Sequence, residues 1–232
     1  MQASELLDQL FPGGHQTTIK DWLVDGDAEF DGHAINILGT TAHAFIGGAE
    51  ALELSSRLLD IIEKNPGSTI LMLVDNSGQR MALSEELLIL PEYIAHLLKA
   101  QQLARESGCK LIGILYGTAV AGGFIAFGML ADRIIAVPGA EPSVMKLEAI
   151  ARVTKMPLAK LQELAKTVSV FAPGCDSFFK MGGVHDHWDK DFPEKLRALL
   201  AEDISSDVRA ALGNERGGRT HAQNVIERVI SA

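Results

Sequence analysis

The chain has few of the features that mark several common protein classes. Its 232 residues include only two cysteines, Cys109 and Cys175, and 6% aromatic residues. The two cysteines are far apart and lack metal-ligand spacing, so we expect free thiols in a reducing compartment. No apolar run approaches the roughly 18 residues of a membrane-spanning helix, and no signal-peptide pattern follows Met1. These absences predict a cytoplasmic protein that does not contact a membrane.

Basic blocks are missing as well, and the formal net charge is -9. We therefore do not expect a nucleic-acid partner. Apolar residues are abundant: 47% of the residues are hydrophobic, and most of these are small or branched. This composition is typical of an α/β core, and the length suits one domain or one domain with an appendage.

Short apolar runs alternate with helical stripes through the middle of the chain. The pattern predicts strands at 34–38, 69–74, 111–116 and 133–137. It predicts helices at 49–64, 84–90, 93–107 and 124–130. Strands that alternate with helices indicate a mostly parallel sheet with right-handed crossovers.

The pattern divides the chain into three regions of one domain. Residues 1–29 form an N-terminal segment with a short helix near Ser4–Leu10, and residues 30–145 form the α/β core. Residues 146–232 form a helical C-terminal region. Helices in that region are predicted at 146–154, 158–168, 192–202, 205–212 and 220–231.

Two glycine pairs, Gly47-Gly48 and Gly122-Gly123, each lie where an extended segment turns into a helix. Backbone N–H groups at a helix start have no partner inside the helix, and glycine lets a ligand oxygen approach them closely. Such a turn can hold an anion or a developing oxyanion, or it can simply allow tight packing of helix on strand. The chain lacks both GxxxxGK[ST] and GxGxxG, which argues against a nucleotide phosphate.

Three other polar groups are candidates for catalysis or metal binding. His43 can be a proton donor or a packed core histidine, and the pattern favours the core. Residues 75–79, DNSGQ, follow a strand and predict a turn. Asp75 at its start suits catalysis or a cap or turn, and we favour the cap or turn. His185 and His187 flank Asp186, but no third metal ligand lies nearby, so a solvated turn is favoured over a metal site.

A nucleophile is missing from the second glycine turn. No serine lies between Gly117 and Gly123, and GxSxG is absent there. This argues against a hydrolase whose mechanism needs a covalent intermediate.

Three segments resemble the crotonase superfamily: AFIGGAE at 44–50, YGTAVAGG at 116–123 and MLADRIIA at 129–136. The resemblance implies a crotonase-like ββα spiral core over residues 30–145. It implies a catalytic site made of backbone donors, with Gly48 and Ala49 from the first segment and Gly122 and Gly123 from the second. It also implies substrate contacts from Tyr116, Gly117 and Phe124, and no metal.

Within this superfamily the catalytic residues of two branches are absent. The glutamates of enoyl-CoA hydratases correspond to Ile125 and Lys146, and the serine of Clp-type proteases corresponds to Ala121. The carboxyltransferase branch, which handles thioester enolates and carboxylates, fits a site that has only oxyanion donors.

Two further strings, AVPGAEPSVM at 136–145 and GGVHDHW at 182–188, resemble the gamma subunits of biotin-independent malonate decarboxylases. This resemblance implies three partners: a carboxyltransferase-like beta subunit, an acyl carrier protein and an alpha transferase subunit. The substrate would be malonyl on the dephospho-coenzyme A-type prosthetic group of the carrier, with coenzyme A as a surrogate. No cofactor would be bound covalently to this chain.

Some alternatives stay open at this point. The proton that the product carbanion needs could come from His43, Tyr116 or the partner. The chain could instead be the carboxyltransferase half of a biotin-dependent enzyme. It could also be a non-catalytic scaffold whose apolar helices after residue 146 form the interface.

Overall fold

One mixed sheet organises the chain in a computed structural model that describes residues 1–169, 172–204 and 206–231. Its strands are β1 (Gln16–Lys20), β2 (Leu23–Phe30), β3 (His33–Thr40), β4 (Ala44–Ile46), β5 (Thr69–Gln79), β6 (Lys110–Val120), β7 (Arg133–Ala136), β8 (Glu141–Ser143) and β9 (Asp186–His187). The helices are α1 (Ala3–Leu10), α2 (Gly48–Lys64), α3 (Leu83–Leu87), α4 (Leu90–Glu106), α5 (Ala121–Ala126), α6 (Leu147–Thr154), α7 (Leu158–Thr167), α8 (Cys175–Lys180), α9 (Phe192–Ala201), α10 (Arg209–Glu215) and α11 (Thr220–Ile230).

The main strand order is β1-β2-β3-β5-β6-β7-β9. The first three strands pair antiparallel, and the pairs β3–β5, β5–β6, β6–β7 and β7–β9 are parallel. The short strands β4 and β8 pair with the carboxyl-terminal parts of β5 and β6. The predicted α/β class and mostly parallel sheet are therefore confirmed.

A hydrophobic layer covers each face of the sheet. Leu54, Leu58 and Leu97 from α2 and α4 pack with Met72 and Val74 on one face. The opposite face is covered by α1 and α9, whose inward residues are Leu6, Leu7, Leu10, Leu196 and Leu199. The central strands are buried on both faces, which explains their continuous apolar sequences.

The N-terminal segment contributes more to the sheet than its sequence suggests. The pattern predicts no strand before Phe30, yet β1 and β2 form an antiparallel hairpin that continues into β3. Four of the five residues of β1 are exposed, so this edge strand lacks an apolar pattern. The predicted helix at Ser4–Leu10 is confirmed as α1, because its Leu6, Leu7 and Leu10 are fully buried.

Two arginines, the buried Arg133 and the half-buried Arg216, join the C-terminal region to the sheet. The guanidinium of Arg133, at the start of β7, donates to Oε1 of Glu202 from Nε at 2.9 Å and from Nη2 at 2.6 Å. The guanidinium of Arg216 donates to the carbonyl oxygens of Phe179, Val184 and His185. Residue 205, where one predicted helix begins, lies outside the described residues, and α10 starts at Arg209.

Within the described residues, no helix has the length and apolar character needed to cross a membrane.

Candidate functional site

The carboxyl ends of β5 and β6 carry most of the candidate residues. The predicted turn at 75–79 is wrong, because β5 continues through Gln79. Likewise β6 continues through Val120, and α5 begins directly at Ala121. The register between the two strands shifts after Val74, so that Asn76 pairs with Ala119. This irregularity lies at the edge of the sheet where parallel α/β folds bind ligands.

The second glycine pair forms the first turn of α5, as predicted from its place after a strand. Ala121 precedes it with a φ of 44°, a left-handed conformation that costs energy for a residue with a β-carbon. A β-carbon on Gly123 would lie 2.7 Å from the backbone carbonyl carbon of Gly78, so only glycine fits there. A β-carbon on Gly122 would meet Oε1 of Gln79 at 2.3 Å, which is the end of a flexible side chain. Packing alone therefore explains Gly123 better than it explains Gly122.

Beside this turn lies a buried donor that sequence reasoning missed. Asn76 is fully buried, and its Oδ1 accepts the backbone N–H of Gly78 at 3.3 Å. Its Nδ2 has no hydrogen-bond partner in the described part of the chain. An unpaired buried donor is costly, and such groups concentrate at functional sites. Asn76 belongs to the segment predicted as a turn. Asparagine is common in turns, so its sequence position does not indicate a functional role.

The first glycine pair begins α2, but its N–H groups already have acceptors. Gly47 donates to Oε2 of Glu50 at 2.9 Å, and Gly48 donates to Oε2 of Glu85 at 2.9 Å. Arg80 forms ion pairs with both carboxylates, and its Nε lies 3.6 Å from Oε1 of Glu85. The Gly48 donor is thus covered by a carboxylate of α3, whereas Ala49 follows in the same first turn of the helix.

A histidine–aspartate pair occupies the same edge of the sheet. Nδ1 of His43 lies 2.7 Å from Oδ1 of Asp75, and the His43 backbone N–H donates to Oδ2 at 3.0 Å. The backbone N–H of Thr118 donates to Oδ1 at 2.9 Å, and its hydroxyl group donates to the same oxygen at 3.1 Å. The core position expected for His43 is wrong, since its side chain is 65% exposed, and Asp75 is a buried strand residue rather than a turn or cap.

Gly117 explains how the Asp75 carboxylate fits between the strands. A β-carbon on Gly117 would lie 2.5 Å from Cγ of Asp75, so any larger residue would displace the carboxylate. Gly117 therefore packs against the Asp75 side chain, so any effect of Gly117 on a substrate would pass through Asp75.

Two of the aromatic candidates lie in the core. Tyr116 is 2% exposed and its hydroxyl group donates to the carbonyl oxygen of Thr40 at 2.7 Å. Burial raises the pKa of Tyr116 well above its usual value, so the phenol stays protonated near neutral pH with its O–H already donated to Thr40. Phe124 is also buried, with its ring centroid 5.9 Å from that of Phe178. Ile125, by contrast, is 53% exposed beside the glycine turn.

The His185-Asp186-His187 segment is not the predicted solvated turn, because Asp186 and His187 form β9 beside β7. Nδ1 of His185 accepts the backbone N–H of Ile134 at 3.0 Å. Burial, followed by the charge of Arg133, lowers the pKa of His185 to about 4. In the described ranges no group of three or more His, Cys, Asp or Glu residues could hold a metal ion.

Exposed apolar residues border the site. Five of them, in and around α3, form what we call the α3 surface: Met81, Leu83, Leu87, Leu88 and Ile89. Each is at least 60% exposed. Glu85 lies within this segment and reaches Gly48, so the surface adjoins the first glycine turn. Contiguous exposed apolar residues of this kind mark protein–protein interfaces.

A mostly parallel sheet with donor-bearing turns at its carboxyl edge defines a crotonase-like α/β fold of the carboxyltransferase kind. The transcarboxylase 12S subunit, solved with methylmalonyl-coenzyme A and methylmalonic acid bound, shares this fold. The match has a TM-score of 0.68 at 18% identity and covers 85% of this chain and 40% of that one.

The chain belongs to the malonate decarboxylase gamma subunit family, whose pattern matches residues 41–232. One chain of a solved Pseudomonas malonate decarboxylase hetero-dimer is 26% identical to this chain. That match has a TM-score of 0.73 and covers 97% of this chain and 96% of that one. The malonyl-S-ACP:biotin-protein carboxyltransferase of Malonomonas rubra is 30% identical over 175 residues. That match covers 68% of this chain and 58% of the relative, so the chain spans little more than half of that protein's length.

Proposed function

We propose that this chain works with a carboxyltransferase-like beta subunit to decarboxylate a malonyl thioester carried on an acyl carrier protein. The products are an acetyl thioester and CO2. One observation carries the proposal: residues 121–125, where α5 begins directly after β6, contain no acidic, basic or nucleophilic side chain. The chemistry available there is hydrogen-bond donation by backbone N–H groups, in a chain of the malonate decarboxylase gamma subunit family.

Decarboxylation suits such a site because it needs no base. As the C–C bond to the carboxylate breaks, its electron pair forms the enolate of the thioester and CO2 leaves. A preorganised N–H donor at the enolate oxygen lowers the barrier by about 3–4 kcal/mol. We assign this role to the N–H groups of Gly122 and Gly123, and assign Ile125 to the apolar surface beside them.

The first glycine turn has a conditional role in this proposal. Ala49 and Gly48 would serve as the second donor segment, but the Gly48 N–H donates to Glu85. Glu85 must therefore move before that N–H can meet a substrate oxygen. Tyr116 and Gly117 act indirectly, through the core and through Asp75, and Phe124 supports α5 from inside the protein.

The family and its solved relatives support a beta-subunit partner. A Pseudomonas malonate decarboxylase has been solved as a hetero-dimer, and as a hetero-tetramer in complex with coenzyme A. We propose that this chain binds its beta subunit through the α3 surface, and that the complex accepts malonyl from a dephospho-coenzyme A-type group on a carrier protein. An alpha transferase subunit would load that group.

The test is CO2 release from malonyl-CoA by this chain, by the beta subunit and by the two together. We expect release only from the mixture. Gly122→Val should lower release by about 100-fold or more, because its side chain blocks access to the N–H groups. Assembly, followed by size-exclusion chromatography, should not change.

Two controls separate donor blocking from packing. Gln79→Ala removes the side chain that a residue at 122 would meet, so Gln79→Ala combined with Gly122→Val should still be inactive while Gln79→Ala alone is active. Gly13→Ala changes a glycine with no heavy atom within 4 Å of the added carbon and should be neutral. Full activity of an assembled Gly122→Val complex would refute the donor role.

The second candidate function is carboxyl transfer to biotin, which the Malonomonas rubra relative favours by its activity. A biotinylated carrier protein added to the same mixture decides between the two. Labelled carboxyl that moves from malonyl-CoA to biotin would support transfer. Labelled CO2 released at the same rate with or without the biotinylated protein would support decarboxylation. A tight complex inactive in both assays would leave this chain as a scaffold.

A further inference from the structure

We infer that His43 is the general acid that delivers a proton to the enolate once CO2 has left, with Asp75 as its positioning residue. The inference rests on the proposed function and adds to it the source of the proton. Its starting point is the contact between Nδ1 of His43 and Oδ1 of Asp75 at 2.7 Å.

Asp75 is built to hold the imidazole in one orientation. Its side chain is 7% exposed, and the carboxylate accepts four hydrogen bonds, two from His43 and two from Thr118. Because Nδ1 faces the carboxylate, Nε2 is the ring nitrogen left for a substrate. In the imidazolium form both nitrogens carry protons, and the Nε2 proton is the one that is free to leave.

The surroundings of His43 also distinguish it from an ordinary surface histidine. Ala42 and His43 have φ values of 57° and 52°, and Ala121 on the neighbouring glycine turn has 44°. Left-handed backbone at three residues with β-carbons is held in place by surrounding contacts, and such strain concentrates at functional sites. The first glycine pair begins four residues after His43, and the second begins four residues after Thr118. His43, Asp75 and Thr118 thus meet on the edge of the sheet that carries both turns.

The proton balance of the step is complete. Loss of CO2 leaves the electron pair in the enolate, and the α-carbon forms a C–H bond with the proton of Nε2. The imidazolium becomes neutral imidazole, and water returns a proton because the side chain is 65% exposed. Tyr116 is unsuited to this step, since its hydroxyl group is buried and donates to Thr40.

The test uses the assembled complex and malonyl-CoA. His43→Gly suits the left-handed backbone and leaves an opening to solvent for imidazole. We expect acetyl-CoA formation to fall by about 100-fold or more, which is typical for loss of a general acid, and millimolar imidazole to restore at least about a tenth of it. His33→Gly, at an exposed position on β3, should retain activity and should not respond to imidazole.

A second variant covers the case in which His43→Gly fails to assemble. Asparagine tolerates the left-handed conformation, so His43→Asn preserves the loop and removes the acid. A matched assay follows exchange of the acetyl-CoA methyl hydrogens in D2O, which reverses the protonation step. We expect His43→Asn to lose this exchange while the complex stays intact.

The outcomes separate this inference from the proposed function. No CO2 release by the unsubstituted complex would overturn both. Release by that complex together with full activity in His43→Gly and His43→Asn would overturn the role of His43 alone. Loss of activity that imidazole does not restore, with methyl exchange unchanged in His43→Asn, would also overturn it, because His43 would then be structural.

Discussion

The backbone N–H of Gly48 donates to Oε2 of Glu85 at a distance of 2.9 Å. The acceptor belongs to the exposed helix α3, and the donor to the first turn of α2. A carboxylate is therefore bound in cis at one of the two turns that we propose for substrate oxygens. Arg80 holds this carboxylate from the other side, with its Nε 3.6 Å from Oε1.

Removing the Glu85 carboxylate should help the substrate if Gly48 is a donor. Glu85→Ala frees the N–H and removes a negative charge that repels malonyl, so we predict a severalfold lower KM for malonyl-CoA. Stability should fall by about 0.5–1 kcal/mol, because a helix-start N–H loses its acceptor. Steady-state kinetics and urea unfolding measure the two effects. Glu86→Ala, one residue further along α3, is the control, and an unchanged KM in Glu85→Ala would remove Gly48 from the donor set.

The Asp75 carboxylate should contribute to stability as well as to the orientation of His43. In Asp75→Asn an amide replaces a buried acceptor that serves four donors, so at least one donor is left unpaired. We predict that the free energy of unfolding falls by about 1–3 kcal/mol, measured by urea denaturation. Thr118→Val removes only one hydroxyl donor and should cost less. An Asp75→Asn protein as stable as the unsubstituted chain would contradict this account of the carboxylate.

How far the sequence predicts these features depends on the kind of interaction. The central strands and the helices between them follow from apolar periodicity, since burial on both faces leaves a direct pattern in the chain. The hairpin of β1 and β2 does not, because it lies at an exposed edge. The glycine turns are visible because glycine has few other reasons to occur in pairs between a strand and a helix.

The polar contacts of the site could not be predicted from the sequence, because their partners lie far apart along the chain. His43, Asp75 and Thr118 are 32 and 43 residues apart along the chain, and only the parallel pairing of β4, β5 and β6 brings them together. The same holds for Glu85 and Gly48, which are 37 residues apart. Asp75 reads as a turn residue because its neighbours Asn76, Ser77 and Gly78 have turn propensity. Strand pairing overrides that propensity, as it often does for residues of a buried sheet.

Because of His185, we predict that the free energy of unfolding falls at acidic pH. Burial and nearby arginines lower its pKa from 6.5 to about 4, so the folded protein keeps this imidazole neutral while the unfolded chain protonates it. The stabilisation is complete above about pH 6.5 and is lost as the pH falls towards 4. Because the ring is only partly buried, we predict a loss of about 1–2 kcal/mol between about pH 7 and pH 4.5.

The check compares urea unfolding of the unsubstituted chain with that of His185→Asn at the two pH values. Asparagine can still accept the N–H of Ile134 but does not titrate, so its stability should vary less with pH. His33→Asn removes an exposed imidazole and controls for the general effect of charge. Equal pH dependence in the unsubstituted chain and His185→Asn would show that another group is responsible.

The α3 surface should be the docking site of the beta subunit. Leu83 and Leu87 are 75% and 73% exposed, and burying a leucine side chain contributes about 1.5–3 kcal/mol. Leu87→Asp would place a desolvated charge in that interface, so we predict at least about 100-fold weaker binding of the beta subunit, measured by calorimetry.

Stability of the isolated chain is the first control, because an exposed leucine contributes little to it. Val229→Asp, on α11 and 71% exposed, is the matched control for adding a charge to an apolar surface position. Since Glu85 lies on the same segment as Leu87, docking and the release of Gly48 are expected to be linked. Beta-subunit binding that Leu87→Asp leaves intact would place the interface elsewhere.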